Sequence, residues 1–143
     1  MTTDAATVVR QAYHTAEGDV LDFEGFKALF TDDGVFQPMG GPAFKGEQLA
    51  DLLVVLGGIM PDIHREIYHF HVIGDVVAVE LSIQGTFSGP FHSPSGKVYE
   101  PNGAKLDIPC GDFWYIENGK IKRFNCHVSM SVMFTQMGIM APV

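Results

Sequence analysis

The chain is 143 residues long, 46% apolar, and carries a formal net charge of −8. That length sets a single domain over 1–143 with a core large enough to need no staples, and the apolar share excludes a disordered chain. The acidic balance, with no basic cluster to offset it, argues against nucleic acid or an anionic membrane as partner.

The start, Met1-Thr2-Thr3-Asp4, is polar and lacks the charged and apolar run of a signal peptide. The longest apolar run, Leu49 to Met60, contains Asp51 and is too short to span a bilayer, so a cytoplasmic protein is expected. Residues 4–17 hold Ala5, Val8, Val9, Ala12, Tyr13 and Ala16 at helical spacing, with Asp4 as cap and Gly18 as stop. A short helix over 22–30 and a strand at Val35-Phe36-Gln37 follow, then a helix over about 46–57 that buries Leu49, Leu52, Leu53 and Leu56. From residue 65 the period changes to two. Strands 65–73 and 76–87 flank a Gly74-Asp75 turn, which sets Val72 opposite Val77, Phe70 opposite Val79 and Tyr68 opposite Leu81. Residues 88–104 read as a long loop, and strands follow at about 105–116 and 121–130. The last dozen residues, with Met133, Phe134, Met137, Ile139 and Met140, are apolar enough to dock. Helices followed by a twisted sheet give an α+β domain with helices on one face and a cavity for a small ligand.

The last two strands carry the chemistry. A two-residue turn at Asn118-Gly119 sets Asp112 opposite Asn125 and Cys110 opposite His127, with facing Cβ atoms about 4.5–5.5 Å apart. One face then collects Ile108, Cys110, Asp112, Trp114, Asn125, His127 and Ser129. The other collects Phe113, Tyr115, Phe124, Cys126, Val128 and Met130, and needs a cover, for which a second subunit is expected. The two cysteines fall on opposite faces and are expected to remain free thiols, and the chain has no Cys/His spacing of a zinc site. A carboxylate in apolar sheet is costly unless paired or used. Burial would raise its pKa and make Asp112 a general acid or a neutral hydrogen-bond donor, with His127 as proton partner.

The pieces Phe30-Thr31-Asp32-Asp33-Gly34-Val35-Phe36, Phe44-Lys45-Gly46-Glu47-Gln48-Leu49, Gly74 to Glu80, Gly85 to Pro90, Pro101 to Phe113, Asn118-Gly119-Lys120-Ile121 and Gln136-Met137-Gly138 are each weak signals. In this order and spacing the chain resembles the SnoaL-like branch of the NTF2-like superfamily, which includes polyketide cyclases and ketosteroid isomerases. The resemblance implies a cone: a curved mixed or antiparallel sheet wrapped around N-terminal helices, with an internal cavity and commonly a homodimer. It implies that Asp112 matches the Asp that faces the cavity before the Asn-Gly-type turn, and that Tyr13 lies near the first-helix Tyr that works beside that Asp in the isomerases. Gln37 stands before Pro38 where the isomerase base, an Asp, would be, which argues against steroid isomerase activity. Ser129 stands where many members carry a further Asp, and residues 91–100 resemble an insertion that would form a lid or a dimer surface.

Asp112 and His127 are therefore the candidate catalytic pair, and Tyr13, Gln37, Trp114 and Asn125 the candidate substrate-binding residues. A purely structural carboxylate, paired with Asn125 or His127, is the competing reading of Asp112. His69-x-His71 invites a metal reading, but no carboxylate follows until Glu80, so neither metal nor other cofactor is expected. The expected function is cofactor-free acid/base isomerisation, cyclisation or dehydration of a small apolar carbonyl-type molecule. A non-catalytic ligand-binding or dimerisation module is the alternative, motivated by the missing acids at Gln37 and Ser129.

Overall fold

The computed structural model describes residues 4–139, and Met140 lies outside them. Helix α1 spans Ala5–Thr15, and Asp4 caps it by accepting from the Thr7 N–H at 2.8 Å. Helix α2 (Phe23–Ala28) leads into β1 (Phe30–Pro38) and the two-residue β2 (Phe44–Lys45). A 3-10 turn at Gly46–Gln48 precedes α3 (Asp51–Ile59). Then come β3 (His64–Ile73), β4 (Val76–Thr86), the short pair β5 (Phe91–His92) and β6 (Val98–Tyr99), β7 (Lys105–Glu117), β8 (Lys120–Val128) and α4 (Met130–Gln136). Among the described residues no helix is long and apolar enough to cross a membrane.

Six strands form one mixed sheet in the order β2-β1-β8-β7-β4-β3, with β1 parallel to β8 and the other pairs antiparallel. Strand β7 alternates along its length: Leu106, Ile108, Cys110, Asp112, Trp114 and Ile116 are buried, while most of the residues between them are exposed. That is the signature of a sheet with one covered face. Helix α1 supplies part of the cover through Val8, Val9, Ala12 and Tyr13, and its Arg10 guanidinium lies 4.0 Å from the centre of the Phe70 ring. The expected lone loop over 88–104 instead contains the β5–β6 hairpin, which stacks Phe91 on Tyr99 and on Phe134 of α4. The C-terminal segment docks as expected: Met133 and Met137 are buried, and the Gln136 amide pairs with the Asp107 backbone at 2.8 and 2.9 Å.

Both hairpin turns form where the sequence places them. Asn118 and Gly119 have φ of +50° and +76°, as a type I′ turn requires. Each hairpin then slips by one residue. In β8 Lys122 is an extra residue, so Ile116 opposes Ile121 but Tyr115 opposes Arg123. In β3 Tyr68 is the extra residue, so Ile67 rather than Tyr68 opposes Leu81. These β-bulges reverse which side chains beyond them face inward. The expectation that Tyr68 lines the apolar face is thereby corrected: Tyr68 is 55% exposed and Ile67 takes its place.

At the start of β3, His64 stands between two carboxylates, 2.8 Å from Glu17 and 2.8 Å from Glu66. Those hydrogen bonds, Glu66 first and then Glu17, raise the His64 pKa above its ordinary value. A raised histidine pKa adds stability in full below the unfolded value, and that stability is lost as pH rises through the folded one. The imidazole is half exposed, so the effect is small, under about 1 kcal/mol. His64→Gln is expected to flatten the fall in thermal stability as pH rises above the ordinary histidine value of about 6.5. Melting curves of the two proteins that stay parallel through that range would contradict this assignment.

Candidate active site

The inner sheet face and the helices enclose a cavity whose lining includes Tyr13 of α1, Phe26 of α2, Leu52, Leu53 and Leu56 of α3, Arg65 of β3, and Cys110, Asp112, Trp114, Phe124 and Cys126 of the central strands. Its free space for the centre of a water-sized sphere is about 20 Å³, room for about one water. The walls are apolar except for Arg65 and the group around Asp112.

Asp112 is 2% exposed and is held from several sides. The Tyr13 hydroxyl donates to its Oδ2 at 2.7 Å, and the Cys110 thiol donates to its Oδ1 at 3.3 Å. The Trp114 indole N–H in turn donates to the Tyr13 hydroxyl at 3.0 Å, so a chain of donors runs from Trp114 through Tyr13 to the carboxyl. Trp114 is locked by a stacked Phe124 ring, 3.6 Å between centroids, and by an edge contact with Tyr13 at 5.3 Å. Burial pushes the Asp112 carboxyl above its ordinary pKa, and the hydrogen bond from Tyr13, the thiols and the charge of Arg65 offset this only in part. Burial, and then the charge of Asp112, push the Tyr13 phenol well above its own ordinary value, so it remains a neutral donor.

Of the residues expected at the site, Tyr13, Asp112 and Trp114 meet in this cavity. Gln37, Asn125 and His127 do not line it. The expected register is corrected: Asp112 opposes Cys126 rather than Asn125, and His127 opposes Gly111 rather than Cys110. The extra residue at Lys122 turns Asn125 and His127 to the outer face, where the His127 ring meets Phe113 edge-on at 5.6 Å and Asn125 accepts from the Arg123 Nε at 2.8 Å. His127 thus lacks the placement needed to exchange a proton with Asp112. Gln37 pairs in register with Asn125 and spends its amide on the carbonyls of Pro38 and Gly41, at 2.9 and 2.8 Å. His69 and His71 stack on each other at 6.1 Å on exposed positions of β3, with His69 opposite Glu80 as expected.

Three cavity residues were hidden from sequence reasoning, Arg65, Phe124 and Cys126, and the expectation that Phe124 and Cys126 face outward is corrected. The bulge at Tyr68 turns Arg65 inward opposite Ile83, and its Nη1 donates to the Ala16 carbonyl at the end of α1 at 2.8 Å. The bulge at Lys122 brings Cys126 onto the face of Cys110, with 3.9 Å between the sulfurs. Both cysteines are free thiols, as expected, although they share one face instead of lying on opposite ones.

The fold has many solved counterparts. A protein of Jannaschia sp. CCS1 assigned as a SnoaL-like polyketide cyclase superimposes with a TM-score of 0.81 at 18% identity, over 96% of this chain and 93% of its own. IdmH of Streptomyces antibioticus, assigned as a polyketide cyclase, superimposes at 0.77 and 18% identity, over 96% of this chain and 100% of its own. The epoxide hydrolase/cyclase-like enzyme SalBIII, of pyran ring formation in the polyether salinomycin, superimposes at 0.70 and 17% identity, over 89% and 92%. At these identities the likeness shows the fold, an NTF2-like cone. No functionally curated protein matches the chain. The SnoaL-like domain model matches residues 9–124, from within α1 to the Phe124 that stacks on Trp114, and the chain belongs to that family.

Proposed function

We propose that the protein is a cofactor-independent acid catalyst acting on a small apolar carbonyl-bearing molecule, and that cyclisation suits the site better than isomerisation or dehydration. One observation carries the reading: the Tyr13 hydroxyl rests 2.7 Å from a buried Asp112 in a cavity that is otherwise largely apolar. With the carboxyl neutral, the Tyr13 hydroxyl can turn its proton from Asp112 to a developing oxyanion, beside the O–H of the carboxyl itself, so two O–H donors serve one oxygen. The same carboxyl can pass its proton to a substrate oxygen. Among the described lining residues there is no second carboxylate and no imidazole. A reaction whose nucleophile lies within the substrate needs only the acid, whereas proton abstraction from carbon needs a separate base. The cyclase neighbours support this choice by analogy of fold alone. A substrate larger than one water must push aside Phe26 and the α3 leucines, which favours flexible apolar chains. Two free thiols suit a reducing compartment such as the cytoplasm.

The test is a panel of apolar compounds that each carry a carbonyl or epoxide and an internal hydroxyl nucleophile. Wild-type protein is expected to convert at least one, and Tyr13→Phe to convert it about 100-fold more slowly through loss of one oxyanion donor. Compounds that raise the melting temperature yet are never converted would favour the ligand-binding module instead.

We further propose that the outer sheet face pairs with a second copy of the chain. Phe113, Tyr115 and Tyr68 stand 40%, 37% and 55% exposed there, beside His127. Phe113→Asp is expected to convert a dimer to a monomer in light scattering. A wild-type monomer at micromolar concentration would contradict the pairing.

A further inference from the structure

We propose that Cys110, Asp112 and Cys126 form a binding site for a thiophilic divalent cation of the zinc and cadmium class. The candidate ligand atoms of these three buried residues all lie within 4.8 Å of one another. The two sulfurs are 3.9 Å apart, and the Cys110 sulfur is 3.3 Å from Asp112 Oδ1. Around a tetrahedral zinc with Zn–S of about 2.3 Å and Zn–O of about 2.0 Å, the sulfur–sulfur edge is about 3.8 Å and the sulfur–oxygen edge about 3.5 Å. The protein thus holds two edges of that tetrahedron within a few tenths of an ångström. The sheet sets this spacing, because Cys110 and Asp112 lie two apart on β7 and Cys126 opposes Asp112 on β8. Tyr13, with its hydroxyl 2.7 Å from the other carboxylate oxygen, is a further oxygen donor at hand.

Charge and ligand type define the occupant. Two thiolates and a carboxylate would carry three negative charges, and Arg65 on the same cavity wall supplies one positive charge. A divalent ion brings the group to neutrality, which a buried site requires. Two sulfur ligands select zinc, cadmium or a similarly soft ion over magnesium or calcium. On binding, two S–H bonds break and two metal–sulfur bonds form. The thiol protons, and the carboxyl proton if it is present, leave to solvent, and no electron is transferred. Release of at least two protons makes the apparent affinity rise at least about a hundredfold per pH unit. An ion here would also take Asp112 out of acid catalysis, so the site would act as an inhibitory one; the binding itself does not depend on the catalytic reading.

The test is titration of reduced, folded full-length protein with cadmium alone, following the ultraviolet thiolate-to-cadmium charge-transfer band, and with cobalt alone, following its visible spectrum. The expected results are one cadmium per chain, a cobalt spectrum with the intensity of tetrahedral coordination, and an affinity at least about a hundredfold weaker one pH unit lower. Cys126→Ser, checked for folding by circular dichroism, is expected to lose most of the band. If that variant does not fold, the stoichiometry and cobalt spectrum of the wild type decide alone. No charge-transfer band at stoichiometric cadmium, an octahedral cobalt spectrum, or a band unchanged in folded Cys126→Ser would each overturn the site.

Discussion

Asp112→Asn is expected to slow conversion of any substrate found for this protein by about 100- to 10,000-fold, the range for losing a general acid or an oxyanion donor. The substitution keeps the shape of the side chain and removes its acidic proton, together with the cost of keeping the carboxyl protonated above its ordinary pKa. Its effect on stability therefore has the opposite sign to its effect on activity. The folded-state pKa of Asp112 is raised, chiefly by burial and in spite of the Tyr13 hydrogen bond. A carboxyl with a raised folded pKa contributes its full stability below the unfolded value of about 3.9 and loses it as pH rises through the folded value. Wild-type protein should therefore lose melting temperature across that rise, and Asp112→Asn should lose less. Activity should fall over the same range, because the acid form is the working form. A variant whose melting curve simply runs parallel to and below the wild type would show that the carboxylate serves only to hold Tyr13 and Cys110.

Trp114→Ala is expected to cost about 3–5 kcal/mol of unfolding free energy, the range for truncating a large buried aromatic. The indole is 1% exposed, stacks on Phe124 and meets Tyr13 edge-on. It also donates the hydrogen bond that orients the Tyr13 hydroxyl toward Asp112. Trp114→Phe separates these two roles. It keeps a ring against Phe124 but loses the N–H and the second ring of the indole, so an intermediate cost of about 2 kcal/mol is expected, together with a slower reaction through a mispointed Tyr13. Urea denaturation of the three proteins checks the order. Equal stability of Trp114→Ala and wild type would mean that the stack on Phe124 is not formed in solution.

Much of this fold is legible in the residues. The helical spacing through Tyr13, the Asp4 cap and both two-residue turns hold in the structure, and the family resemblance supplies the cone. The site is legible on β7, where strict alternation places Asp112 and Trp114 on the inner face, and at Tyr13 of α1, which the resemblance sets beside that Asp. Its other wall depends on two single-residue bulges, and a bulge leaves turns and strand lengths unchanged while reversing every side chain beyond it. A signal for each does exist. In β8 the inward apolar residues Ile121 and Phe124 are three apart, and in β3 so are Ile67 and Phe70, where an unbroken strand would space them by two. Reading those gaps would turn Arg65 and Cys126 inward and release His127 to the outer face. The β5–β6 hairpin is less accessible, since its strands are two residues each and it is held by ring stacking against α4.

Acid catalysis at this site requires Asp112 to be a buried acid that keeps its proton beyond the pH at which an ordinary aspartate loses it. Carboxyl carbon-13 NMR of aspartate-labelled protein, with the Asp112 signal assigned by its absence in Asp112→Asn, measures this directly. The expected result is a titration midpoint clearly above the ordinary value of about 3.9. A midpoint at or below that value would show an ionised, structurally paired carboxylate and would contradict acid catalysis at this site.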